Sequence, residues 1–93
     1  MNSLLEQIEN TAISLYQNKE AEGVAAVSKL IGQFQGILQN MTQTQLENGG
    51  NFAVLMMKEL IENYENQDMI GMADCLMEKS VLFVQFINQT KEQ

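Results

Sequence analysis

The sequence predicts an all-α protein: an antiparallel four-helix bundle in up-down-up-down order. The 93 residues include no proline, so no segment carries the strongest helix breaker. Apolar residues recur at intervals of three and four along much of the chain, which is the helical period. The stretch 68–87 is apolar over an arc of about 260° on a helical wheel, so other helices must cover it. A chain of this length supports a single core, and we expect one domain, 1–93.

The first two helices are expected at about 3–17 and 20–41. Ser3 is placed to cap the first helix, with Glu6 three positions later. One side of the second helix is apolar, and the other carries small residues. These small residues are Ala21, Ala25, Ser28, Gly32 and Gly36. They form either a solvent face or a contact that lets another helix approach closely. A contact would explain two glycines inside a helix, each of which costs about 1 kcal/mol relative to alanine.

The polar segment 42–51 ends in Asn-Gly-Gly-Asn and is predicted to be the one substantial loop. Asn51 would then cap a third helix over about 52–64. In this helix Leu55 falls on the side away from the core.

The fourth helix is expected over about 68–88, with Asp68 as its cap. The link before it is short, so the third and fourth helices should form an antiparallel hairpin. The segment 81–87 has a strand-like composition, but the chain offers no partner strand, and we interpret it as helical. The polar residues of the fourth helix form a narrow ridge. They are Gly71, Asp74, Glu78 and Gln85.

The net charge is −7, and the chain has no arginine. Nucleic acid and anionic membrane surfaces are therefore disfavoured as partners, since both are bound through clustered cations. The single cysteine, Cys75, excludes an internal disulfide, and no secretory signal is recognisable. These features favour the cytoplasm as the compartment.

The sequence offers little chemistry for catalysis. It lacks histidine, the most frequent general base and a common metal ligand. Cys75 has apolar neighbours and is expected to be an inert thiol. The carboxylates lie on outward ridges, so we expect no metal or cofactor site, no catalytic residues and no enzymatic activity.

Surplus apolar surface favours an interaction protein. Four helices have difficulty covering all the large apolar residues, and uncovered ones normally mark an interface. Five of the seven methionines lie in the last two helices, as core filler or as an adaptable binding surface. The leading hypothesis is a non-enzymatic adaptor or small chaperone-like protein that forms homodimers and can also bind an amphipathic helix. The alternative is an acidic regulator or inhibitor that binds a basic surface of a partner protein. The candidate interface residues are Gly32, Gly36, Leu55, Met72, Leu82 and Phe86.

An apolar–Ala–Asp–x–Leu–x–Glu pattern occurs in the fourth helix, at Met72, Ala73, Asp74, Leu76 and Glu78. With the preceding apolar helix, the last half of the chain resembles a group of small uncharacterised helical proteins from Gram-positive bacteria. The resemblance implies a helical cytoplasmic protein and no particular activity. More loosely, a small acidic bundle is similar to flagellar and type III export chaperones at the level of the fold.

Overall fold

The computed structural model describes residues 3–90, in which every regular element is helical. Helix α1 spans Leu4–Tyr16, α2 spans Glu20–Gln39 and α3 spans Gln43–Glu65. Helix α4 covers 69–90 in three consecutive parts: α-helical Met69–Cys75, π-helical Leu76–Ser80 and α-helical Val81–Thr90. The all-α prediction is confirmed, and within 69–90 the strand-like segment is helical.

Helices α1, α3 and α4 begin at side-chain caps, and α1 and α3 end at left-handed residues, whereas α2 has neither feature. The Ser3 hydroxyl accepts a hydrogen bond from the backbone N–H of Glu6, and the Asp68 carboxylate accepts one from Gly71. After α1 the chain turns at Asn18, where φ is 61°, and after α3 it turns at Gln67, where φ is 56°. A left-handed residue after the last turn stops a helix and redirects the chain.

The predicted loop at 42–51 is wrong, because this segment forms the first two turns of α3. Thr42 caps the helix: its hydroxyl accepts a hydrogen bond from the Gln45 N–H, and the Gln45 side chain accepts one from the Thr42 N–H. Asn51, the expected cap, lies inside the helix. Thr-x-x-Gln is a capping-box signature, and here it outweighs the two glycines that follow.

Glycine is found at position 49, inside α3, because the Phe86 side chain of α4 lies against it. A Cβ atom built on Gly49 would lie 2.6 Å from Cε2 of Phe86. Any larger residue would push the Phe86 ring away, so glycine here permits close packing of α3 against α4.

The π-helical turn keeps one side of α4 turned toward the core. Met72, Leu76, Ser80 and Val84 are spaced by four residues, and all four are buried. In a straight α-helix each step of four drifts by about 40°, which would move Val84 about 120° away from Met72. A π turn adds about one residue to the helical repeat and cancels most of that drift.

The core is one cluster of buried apolar side chains, and α4 contacts each of the other three helices. At its centre Phe34 of α2 meets Phe83 of α4 edge to face, with ring centroids 6.0 Å apart. Contacts between α3 and α4 fall in reverse order along the two helices. Gln45 bonds to Thr90, Met56 to Ser80 and Glu59 to Lys79.

The two glycines of the small-residue stripe make no close contact with other helices in residues 3–90. A Cβ atom on Gly32 or on Gly36 would have no atom of this range within 4 Å, apart from the helix's own backbone. Close contacts between helices occur instead at Gly23, against Leu15 of α1, and at Gly49, against Phe86 of α4.

These environments predict opposite effects of the same substitution. Gly32→Ala should stabilise the protein by about 0.5–1 kcal/mol, because the methyl group meets open space and alanine favours the helix. Gly49→Ala should instead destabilise it by up to about 1 kcal/mol, because the half-buried Phe86 ring must move away from the methyl group and this loss exceeds the gain in helix propensity. Urea denaturation of both variants measures the free energies of unfolding, and a Gly49→Ala variant as stable as Gly32→Ala would contradict the packing described for α3 and α4.

Candidate interaction surfaces

The two nucleophilic side chains in the middle of α4 lie in the core. The Cys75 thiol is buried and donates a long hydrogen bond of 3.7 Å to the Met56 carbonyl oxygen. Burial, followed by the nearby Glu59 carboxylate, raises the pKa of the Cys75 thiol to about 12. The Ser80 hydroxyl is also buried and donates to the Met56 sulfur at 3.2 Å. Neither group is open to a substrate in the folded chain.

The six candidate interface residues fall into three environments. Met72 is fully buried, so its assignment to an interface is wrong for the folded chain: α4 turns it into the core. Gly32 and Gly36 face outward from α2. Leu55 and Leu82 are 64% and 54% exposed, and Phe86 is half-buried against the core.

The structure brings Leu55, Leu82 and Phe86 to one side of the molecule, where α3 packs against α4. Two contacts join the helices there. The Lys79 Nζ lies 2.5 Å from the Glu59 Oε1, and the Phe86 ring rests on Gly49.

The apolar residues of this side lie next to the two contacts. Leu55 lies one turn from Glu59, and Leu82 lies one turn from both Lys79 and Phe86. Half-exposed Phe52, one turn from Gly49 and from Leu55, completes this apolar surface.

Positive and negative charges balance on this surface. A shallow depression is lined by Leu55 together with Lys58, Glu59, Glu62 and Lys79. The hydrogen bond between Lys79 and Glu59 lowers the pKa of the Glu59 carboxyl and raises the pKa of the Lys79 ammonium, so the pair stays charged at neutral pH. Two lysines and two glutamates cancel, and we call this surface, with its apolar residues Phe52, Leu55, Leu82 and Phe86, the neutral face.

A second apolar surface lies where α1 meets α4, and sequence reasoning missed it. Its exposed members are Ile13 and Tyr16 on α1 and Ile70 and Met77 on α4. The Tyr16 hydroxyl donates a hydrogen bond of 2.6 Å to Asp74, which fixes the two helices side by side. Ile13 lies one turn before Tyr16 in α1. Ile70 and Met77 lie one turn to either side of Asp74 in α4.

The charges of this second surface are all negative. The bond to Asp74 is the main reason that the pKa of Tyr16 is raised, and the nearby carboxylates of Asp74 and Glu78 add to the shift. Helix α1 contains no lysine. The one lysine in 69–90, Lys79, bonds to Glu59 on the α3 side and also interacts electrostatically with Glu78, so that Asp74 is the carboxylate with no lysine beside it. We call the surface made of Ile13, Tyr16, Ile70 and Met77 with Asp74 and Glu78 the acidic face.

The small-residue stripe borders an open groove of about 900 Å³ between α2 and the end of α3. Ala21, Ala25 and Ser28 line it from α2, and Tyr64 lines it from α3. The stripe faces solvent within the single chain, as one of the two interpretations of the sequence expected.

Within residues 3–90, no group of three or more acidic or thiol side chains is arranged to hold a metal ion. None of the helices in this range has the length and apolar character needed to cross a membrane. No protein-family model matches the sequence, and searches of curated proteins and of solved structures also give no match. The resemblance to small helical proteins of Gram-positive bacteria therefore stays a prediction.

The environment of Cys75 predicts a slow thiol. At about pH 8 a pKa near 12 leaves roughly one thousandth of the thiolate of an ordinary cysteine, so the native protein should react with an aromatic disulfide reagent at least ~1000-fold more slowly than the unfolded chain. The absorbance of the released thiol measures both rates, and the reaction in concentrated guanidinium chloride is the control. Native protein that reacts as fast as free cysteine would place this thiol at the surface.

Proposed function

We propose that this protein is a non-enzymatic helical interaction module, an adaptor or small chaperone-like protein, that forms homodimers through its neutral face. The single observation that carries the proposal is the position of Leu55 and Leu82. Both are more than half exposed, and they flank one ion pair between α3 and α4. Exposed leucines gathered in one place are typical of a surface that another protein covers.

The balance of charges favours a second copy as the partner of this face. Two chains that each carry a net charge of −7 repel one another over most of their surfaces. The neutral face carries Lys58 and Glu62 beside Leu55, so two copies related by a twofold axis can place the lysine of one near the glutamate of the other. Apolar contact at the centre and charge pairs at the edge are the usual arrangement of a protein interface.

We propose that the four helices run up-down-up-down, so that α3 and α4 present the neutral face along antiparallel axes. The three links between helices are each three residues long, and short links place successive helices side by side in opposite directions. The reversed order of the contacts between α3 and α4 supports this arrangement. A free thiol suits the reducing cytoplasm, which we propose as the compartment.

The alternative function, an acidic regulator or inhibitor that covers a basic surface of a partner, draws on the net charge of −7. It also draws on the carboxylates of the acidic face, which have no neighbouring lysine in α1. Binding of this kind weakens steeply as salt is added, whereas burial of leucines on the neutral face does not.

The homodimer is tested by substituting the two leucines together. Sedimentation equilibrium of the Leu55→Gln, Leu82→Gln double variant should show a dimer dissociation constant at least ~10-fold higher than that of the unchanged protein, because each substitution removes apolar contact from both copies. Glutamine keeps the helices intact, and circular dichroism verifies the fold.

Val54→Gln is the matched control, since Val54 is 59% exposed but points about 100° away from Leu55 around the axis of α3. It should leave the dissociation constant unchanged. An unchanged protein that sediments as a monomer at all concentrations, or a dimer that tolerates the double substitution, would refute self-association through the neutral face.

A further inference from the structure

We propose that the acidic face binds an amphipathic helix of a different protein, and that the polar side of that helix is basic. This inference deepens the proposed function because it names the partner of a second surface. It can also fail while the homodimer stands, since the two faces share no residue.

The apolar residues of the acidic face form a strip that is long enough to contact about two turns of a partner helix. Ile70 and Met77 are seven residues apart in α4, which corresponds to about 10 Å along the helix axis. Ile13 and Tyr16 border them from α1, joined through the bond from Tyr16 to Asp74. A partner helix that presents apolar residues at intervals of three, four and seven matches a strip of this length.

The charges of the face determine which helix can bind. Asp74 and Glu78 border the apolar strip, and both act electrostatically on Tyr16. Lysine side chains on a partner helix would neutralise these carboxylates at the edge of the contact, whereas an acidic helix would be repelled. The hydrogen bond from Tyr16 also holds Asp74 in place, so a partner finds this carboxylate already oriented.

A second copy of the chain does not meet this requirement. Its five basic residues are Lys19, Lys29, Lys58, Lys79 and Lys91, and within residues 3–90 no helix carries more than one of them. Each copy is itself strongly acidic. The acidic face is therefore suited to a partner of opposite charge, while the neutral face is suited to a copy.

The probe is a fluorescent synthetic peptide with leucine on one side of a helix and lysine on the other. Its binding is measured by fluorescence anisotropy at low and at moderate salt. Two comparison peptides accompany it: one with glutamate in place of lysine, and one with the same residues in an order that has no apolar side. The lysine peptide should bind at least ~10-fold more tightly than either comparison peptide, and added salt should weaken it.

Substitutions locate the binding site on the protein. The Asp74→Asn, Glu78→Gln double variant should bind the lysine peptide about 10-fold more weakly, and Ile13→Gln should weaken it by a similar factor. Asparagine can still accept the Tyr16 hydrogen bond, so the fold is kept. The matched charge control is Glu22→Gln, Glu47→Gln, which removes the same charge from exposed positions of α2 and α3 and should lower the affinity less than twofold.

The Leu55→Gln, Leu82→Gln variant should bind the peptide as tightly as the unchanged protein, whatever its state of association. The proposal is overturned if the lysine peptide does not bind. It is also overturned if the glutamate peptide binds equally well, or if both pairs of charge substitutions weaken binding by the same factor.

Discussion

The packing of α4 against the three other helices is the constraint on which the rest of the structure depends. A helix that is apolar around most of its circumference must be covered from several directions, and α1, α2 and α3 each supply part of the cover. The π turn at Leu76–Ser80 keeps Met72 and Val84 on the same covered side. Gly49 lets α3 come close enough for Phe86 to pack on its backbone.

Three helices cannot enclose a fourth completely, and the two open flanks of α4 differ in charge. On the α3 flank Lys79 pairs with Glu59, and lysines balance glutamates around Leu55. On the α1 flank α1 supplies no lysine to offset Asp74 and Glu78, and only Glu78 lies near a lysine, Lys79 of α4. This difference is the physical basis for proposing a second copy on one flank and a basic helix on the other, because the apolar residues alone do not distinguish the two partners.

The helical period predicted the all-α fold, and it placed residues such as Leu30, Phe34 and Leu60 in the core, where they are buried. The extent of α3 could not be predicted in the same way. Consecutive glycines favour a turn locally, and only the tertiary contact with Phe86 shows that Gly49 serves close packing. The capping box at Thr42 was the available signal that the helix starts earlier. Leu55 and Leu82 were recognisable in the sequence as surplus apolar residues. The burial of Met72 depends on how α4 is rotated about its own axis relative to the other three helices, which the sequence pattern does not specify.

Backbone amide NMR spectra recorded over a dilution series show which flank of α4 a second copy covers. Chemical shifts at 52–59 and 79–86 should change with protein concentration, whereas those at 9–16 should stay constant because a second copy does not cover the acidic face. Spectra that do not depend on concentration, or changes confined to the small-residue stripe at 21–36, would contradict self-association through the α3 flank of α4.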